Sequence, residues 1–224
     1  MLKFYFHQTP NPMKVALFLE EAELDYELVP VDTMKGEQHT PEYRAINPNG
    51  KTPAIEDDGK RVFDSNAILL YLSEKTGKFA VKDEDRGELL SWMMFIASGL
   101  GPFSGQSVHF SHKAPEKLPY AINRYLREAE RHYEVLDAHL EGREYLVGDN
   151  YSIADISAWG WVDKANFILG ENGLDNFPNV KRWFEQVNAR PAVAKARDVG
   201  KDIEFKTQFD EEAARALFPQ NYDK

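Results

Sequence analysis

The stretch from Asn47 to Leu72, NPNGKTPAIEDDGKRVFDSNAILLYL, constrains the fold more than any other part of the chain. Its opening Asn-Pro-Asn-Gly is strong turn chemistry. Thr52-Pro53 leads into a short apolar run at Ala54-Ile55. Asp57-Asp58-Gly59-Lys60 fits a tight hairpin, because Gly59 can take a positive φ at no steric cost. Arg61-Val62-Phe63 reads as the returning strand. Asp64-Ser65 stands at a helix N-cap, with Ile68, Leu69, Tyr71 and Leu72 as the apolar face behind it. The local order is therefore strand, turn, strand, helix.

Two features of that stretch carry chemistry. Proline at the start of a strand gives up a backbone N–H, so such strands lie at edges or bends. A cis Thr52-Pro53 bond would bare a backbone edge able to pair with an extended peptide. The helix start at Asp64-Ser65 leaves N–H groups free and carries partial positive charge, which suits a carboxylate. The Asp64 side chain can meet an ammonium. Together these describe a holder for a small zwitterionic peptide, and an ordinary capped helix after a hairpin gives the same pattern.

Before this stretch, Leu2–Phe6 reads as a strand and His7–Asn11 as a polar loop. Asn11-Pro12 offers an N-cap followed by proline at the first helical position. Val15, Leu17, Phe18 and Leu19 make the helix behind it buried. Tyr26–Val31 alternates as a second strand, and strand-helix-strand of this length suggests a parallel βαβ unit. Thr40-Pro41 starts a short helix running to about Ile46. The full order, β-α-β-α-β-β-α ending near Gly77, is thioredoxin-like.

Beyond it the chain reads as helical. Residues 78–85 are charged and serve as linker; residues 86–204 form an all-α domain; residues 205–224 form an extension that packs over the fold or remains mobile. Helices are expected over Arg86–Gly99, Tyr120–Leu140 and Asn179–Arg190. Ile122, Leu126, Ala129, Tyr133, Leu136 and Leu140 repeat at spacings of three and four. In DNYSIAD, Ser152 and Asp155 form a capping box with Tyr151 placed as a staple.

Net charge is −10, which argues against nucleic acid and anionic membrane partners. The chain has no cysteine, so disulfides, thiolate metal sites and a protein thiol nucleophile are excluded. Any sulfur chemistry must arrive with a ligand. No basic-then-apolar leader and no window of membrane-span length is present, so the expectation is a cytoplasmic chain.

The segment TPAIEDDGKRVFDSNAILLYL resembles the glutathione-binding segment of the glutathione S-transferase superfamily. That resemblance implies the glutathione transferase fold. It also implies that Thr52 and Pro53 face the cysteinyl backbone of glutathione, and that Asp64 with Ser65 holds its γ-glutamyl end. The family more often has Glu before the Ser, so Asp64 is one methylene shorter.

Thr9-Pro10-Asn11 is similar to the bacterial nu-class transferases, as are KGEQHTPEY and the stretch from Gly99 to Tyr125. The nu-class likeness implies Thr9 and Asn11 beside the sulfur, with Gln38, Lys51 and Arg131 as further glutathione contacts. Arg127 and Arg124 lie one and two turns before Arg131 and compete for its role. It also implies reduction of small disulfides with glutathione as cosubstrate, no metal, and a homodimer.

The chemistry needed is modest. A free thiol has a pKa of about 8.5. Lowering it by two units takes about 2.7 kcal/mol of preference for the anion. One hydrogen bond to a charged acceptor gives roughly 1.5–3 kcal/mol, and a helix N-terminus adds about 0.3–1 kcal/mol. One donor at the head of the first helix is therefore sufficient. The loop there offers His7, Gln8, Thr9 and Asn11, while Tyr5 lies within the strand.

His109 and His112 flank Phe110 and lack a carboxylate that would complete a metal site; with Phe103 they read as wall of a second-substrate pocket. Conjugation of glutathione to an electrophile, or a non-catalytic glutathione-binding regulatory module on the same fold, remain alternatives.

Overall fold

The computed structural model describes residues 1–222. In chain order its elements are β1 (Leu2–Phe6), α1 (Pro10–Ala22), β2 (Tyr26–Pro30), α2 (Pro41–Ile46), β3 (Ala54–Asp57), β4 (Lys60–Phe63) and α3 (Ser65–Thr76). There follow α4 (Arg86–Phe95), α5 (Gly101–Val108), α6 (Pro119–His139), α7 (Ile153–Val162), α8 (Ala165–Leu169), α9 (Pro178–Asn188), α10 (Pro191–Asp198) and α11 (Glu211–Leu217). Two compact units form: Met1–Leu72 with the chain from Ala194 onward, and Ser73–Val193.

The first unit is the expected β-α-β-α-β-β-α. Its sheet runs β2-β1-β3-β4. β1 pairs in parallel with β2, Leu2 opposite Tyr26 and Phe6 opposite Pro30. A parallel pair needs a crossover, and α1 supplies it. β3 pairs antiparallel with β1, Tyr5 opposite Ala54, and with β4, Ala54 opposite Phe63. Leu2, Phe4 and Phe6 point from one face of β1 into the core, where Val15–Leu19 of α1 are also buried.

α1 starts earlier than the Asn11-Pro12 pattern predicts. Thr9 takes the N-cap position in extended conformation, and Pro10 occupies the first turn. The Met13 N–H donates to the Thr9 carbonyl at 3.2 Å. Thr9-Pro10 is itself a cap followed by a proline, and the earlier of two such signals sets the start. Asn11 accordingly lies within the first turn.

The C-terminal stretch joins the first unit. Gly200 approaches Phe6 so closely that a Cβ would come within 2.8 Å of its ring. Phe205 packs against the rings of Phe6 and His7. The Lys206 N–H donates to Asp32 Oδ2 at 2.8 Å. Asp210 caps α11 by accepting from the Ala213 N–H at 2.9 Å.

In the second unit, the helix expected over Arg86–Gly99 does not stop at Gly99. It passes from α4 through a π-type turn at Ile96–Leu100 into α5, and ends in another at His109–Lys113. Pro102 removes one ladder donor at the start of α5, and the wide turn absorbs the gap. Gly99 permits close approach to α6, since a Cβ there would come 2.3 Å from His132 Nε2.

The long amphipathic α6 buries Ala129, His132, Tyr133 and Leu136. The predicted capping box at Ser152 and Asp155 is present. The buried Asp155 carboxylate accepts from Leu146 N–H at 3.0 Å, Ser152 N–H at 2.9 Å, Ser152 Oγ at 3.2 Å and Trp183 Nε1 at 2.8 Å. Among the described residues no helix is long and apolar enough to cross a membrane.

Candidate glutathione site

The candidate site residues of the first unit come from three places in its fold. The first is the head of α1. Thr9 sits at the N-cap without using its hydroxyl as a cap. The hydroxyl is thus left for other partners beside the positive end of the helix. Asn11 follows one residue inside.

The second place is the approach to β3. The Thr52-Pro53 bond is cis. The Thr52 N–H and C=O make no hydrogen bond among the described residues. Tyr43 Oη and Asn47 Nδ2 both donate to the Lys51 carbonyl, at 2.7 and 2.6 Å, and so pin the chain just before it. The Lys51 side chain is exposed. Partial desolvation, and then the Arg44 cation, hold its ammonium below the usual lysine value.

The third place is the start of α3. Asp64 adopts a left-handed conformation, φ 71. Non-glycine residues there are uncommon and concentrate at functional positions. Its Oδ1 accepts from the N–H groups of Asn66 at 2.9 Å and Ala67 at 3.1 Å. The cap therefore belongs to Asp64, an exposed residue whose Oδ2 takes no part in it. Ser65 is buried and spends neither its hydroxyl nor its N–H on capping.

Lys14 is a residue the sequence reading passed over. It lies on α1 between Met13 and Val15, is 1% exposed, and donates from Nζ to Ser65 Oγ at 3.4 Å. This contact ties α1 to α3 inside the unit. Burial drives its pKa down to about 7, opposed by the field of Asp64. The signal was in the sequence: PMKVALFL places one charge in the middle of an otherwise apolar run.

Gln38 lies in the short 3₁₀ turn Glu37–His39 and is buried. Its Nε2 donates to the carbonyls of Thr33 at 3.0 Å and Ala216 at 2.9 Å. Its Oε1 is buried without a hydrogen bond among the described residues.

Arg131 belongs to the second unit. It donates from Nε at 3.0 Å and Nη2 at 2.6 Å to Glu128 Oε1, while Arg124 donates to Oε2 at 3.2 Å. The hydrogen bond from Arg131 is the main reason the Glu128 carboxyl falls to about 2. Arg127 pairs instead with Glu130 at 2.7 Å.

The second unit also holds a file of rings. Phe110 stacks on Tyr125 at 5.1 Å and 6°, and Phe103 lies between Tyr125 at 6.4 Å and His132 at 5.2 Å. Phe95 and Trp92 continue the file to His139. His132 and His139 are thus packing residues. His109 meets Phe110 edge-on at 5.0 Å, whereas His112 stacks on Phe167 at 4.3 Å. Burial, then Lys113, lowers the pKa of His109. Among the described residues no group of His, Cys, Asp or Glu could hold a metal ion.

The family model described as "Glutathione S-transferase, N-terminal domain" matches residues 1–74, and the one described as "Glutathione S-transferase, C-terminal domain" matches residues 92–191. The chain is a member of the glutathione S-transferase family. Among relatives of this transferase, disulfide-bond oxidoreductase YfcG of Escherichia coli is 48% identical over 204 residues, covering 88% of this chain and 94% of the relative. Disulfide-bond oxidoreductase YghU of Escherichia coli is 38% identical over 221 residues, covering 89% of this chain and 75% of the relative. A Burkholderia graminis glutathione transferase, solved with two glutathione molecules per subunit, superposes with TM-score 0.82 and 40% identity, covering 89% and 88% of the two chains.

Proposed function

We propose that the protein reduces small disulfides with glutathione, with both reacting sulfurs supplied by ligands. The carrying observation is the 48% identity to a disulfide-bond oxidoreductase in a chain that contains no cysteine. A thiolate of glutathione attacks one sulfur of the disulfide, forming a mixed disulfide and expelling the other sulfur as thiolate. A second glutathione thiolate then attacks the glutathione sulfur of that mixed disulfide. Oxidised glutathione forms, the remaining thiol leaves, and the thiolates exchange their protons with solvent.

Each residue has a role in this reading. The Thr9 hydroxyl and Asn11 amide donate to the thiolate at the positive end of α1. The unpaired backbone of Thr52, preceding Pro53, meets the cysteinyl backbone. Ser65 receives the γ-glutamyl carboxylate and Asp64 Oδ2 the ammonium. Lys51 meets the glycyl carboxylate, and Gln38 offers its Oε1 to a ligand donor.

The reading extends to a homodimer in the cytoplasm, where the glutathione pool is kept reduced. Exposed apolar side chains on each unit support association: Phe63 on β4 of the first, and separately Leu90 and Met94 on α4 of the second. Light scattering coupled to size exclusion tests the dimer.

The activity test is a coupled assay on hydroxyethyl disulfide with glutathione, glutathione reductase and NADPH, run beside an aryl-halide conjugation assay. Disulfide turnover well above conjugation is expected. The reverse result makes the protein a conjugating transferase. Silence in both with glutathione still bound makes it a regulatory binding module.

A further inference from the structure

Lys14 presents an electrostatic problem. A buried ammonium is costly unless a counter-charge and hydrogen bonds compensate it. Among the described residues, no carboxylate lies within ion-pair distance of it, and its hydrogen bond is the single 3.4 Å contact to Ser65 Oγ. Asp64 is the charged group whose field reaches it. That carboxylate is exposed, with Oδ1 committed to the backbone of α3. The hydroxyl that Lys14 touches stands at the head of a twelve-residue helix and is itself buried. The Ser65 N–H beside it finds no acceptor among the described residues. Three donors therefore converge, and among the described residues no anion completes them.

We propose that Lys14 is the buried counter-charge for the γ-glutamyl carboxylate of glutathione and acts on it by orienting the Ser65 hydroxyl. This inference rests on the glutathione reading above. An ammonium has only donors. When Lys14 is charged, Ser65 Oγ must accept from it, and the Ser65 hydrogen is turned outward to donate to the carboxylate. When Lys14 is neutral, its lone pair can accept the Ser65 hydrogen and withdraw that donor. Lys14 is a positioning residue, and its charge state is coupled to occupancy. In the free protein burial holds its pKa at about 7; a bound carboxylate raises it again. Binding should therefore take up a proton between pH 7 and the higher, ligand-bound value.

The test is calorimetric titration with S-methylglutathione, whose blocked sulfur cannot release a proton. It is run from pH 6 to 8.5 in buffers of different ionisation enthalpy, on the wild type and Lys14→Met. The ligand ammonium also titrates in this range, and the variant carries that contribution alone. The expected result is proton uptake by the wild type exceeding that of the variant by roughly half a proton or more at pH 8. Its affinity should also fall up to about tenfold more steeply per pH unit above pH 7. At pH 6.5 the variant should bind roughly tenfold or more weakly.

Lys14→Gln, which keeps a neutral donor to Ser65, replaces the methionine variant if that fails to fold, and should likewise lose the excess uptake. Parallel pH curves and equal uptake overturn the role of Lys14 while leaving the glutathione site intact. Failure of the wild type to bind S-methylglutathione at any pH overturns the site and this inference together.

Discussion

Gln38 Nε2 donates to the carbonyl of Ala216 at 2.9 Å, joining residues 178 positions apart. The same nitrogen donates to Thr33, so one amide ties the loop after β2 to the end of α11. A glutamine proposed to touch glutathione is thus held in place by the C-terminal stretch. Gln38→Ala should cost about 1–2 kcal/mol of stability, because it removes a donor from the buried Thr33 carbonyl and another from the half-buried Ala216 carbonyl. Urea denaturation measures this. Ending the chain after Ile203 removes the Ala216 acceptor and the N–H that Lys206 gives to Asp32. If the tail holds Gln38 for the ligand, the truncation should weaken glutathione binding as Gln38→Ala does. Unaltered affinity in both would remove Gln38 from the site.

Asp64 has two separable duties. Asp64→Asn keeps an oxygen for the N–H groups of Asn66 and Ala67 and loses only the charge. Its melting temperature should stay near that of the wild type while glutathione affinity falls roughly tenfold. Asp64→Ala should lose the cap as well, at about 1 kcal/mol. Calorimetry on both variants separates the roles, and full affinity in Asp64→Asn would sink the ammonium contact.

Thr9 spends no side-chain bond on its helix. Thr9→Ala should therefore leave stability nearly unchanged and glutathione affinity within a few-fold. Disulfide turnover should fall about tenfold, the effect of losing one hydrogen bond to a charged sulfur. Steady-state kinetics that show unchanged turnover would transfer the sulfur contact to Asn11.

Lys14 also predicts how stability responds to pH. Its displacement from 10.5 to about 7 corresponds to roughly 5 kcal/mol of bias against the charged form. Between pH 7 and about 10 the unfolded lysine holds a proton that the folded one has released, so this group makes stability rise with pH. Below pH 7 both states are protonated and the burial cost is constant. Lys14→Met should therefore stabilise the ligand-free protein most at and below pH 7, with the gap closing towards pH 10. Thermal melts across that range check the sign, and a destabilised variant at pH 6.5 would contradict it.

Asp155 should dominate the stability of the helical unit. Asp155→Ala strands buried N–H groups of Leu146, Ser152 and Trp183. A loss of about 4 kcal/mol or more is expected. Trp183 fluorescence would report the loosening directly.

The first unit was legible in the sequence because its signals are local: period-two strands, prolines after caps, and the Asp58-Gly59 turn. Ser152 and Asp155 were equally plain, since a capping box is written within four residues. The start of α1 was misread because Thr9-Pro10 and Asn11-Pro12 carry the same signal twice. The wide turns at Ile96–Leu100 and His109–Lys113 answer to packing, as Gly99 against His132 shows, and packing has no period. Lys14 was missed because a lone lysine in an apolar run usually extends its charge to solvent, and only the tertiary fold shows that here it turns to Ser65. Gln38 was singled out, but its bond to Ala216 spans most of the chain and could not be foreseen.

The return of the chain from Ala194 onward has a consequence for how the protein is made. Residues 1–72 belong to a unit whose closing pieces come only after the helical unit in chain order. Asp32, Gln38 and Phe6 must wait, without Lys206, Ala216 and Gly200, while the whole helical unit is synthesised. The helical unit, an uninterrupted stretch of chain, can fold first. The first unit is then completed only once Gly200, Lys206 and Ala216 have been made, so a chain arrested before Ala216 would leave Gln38 without that acceptor.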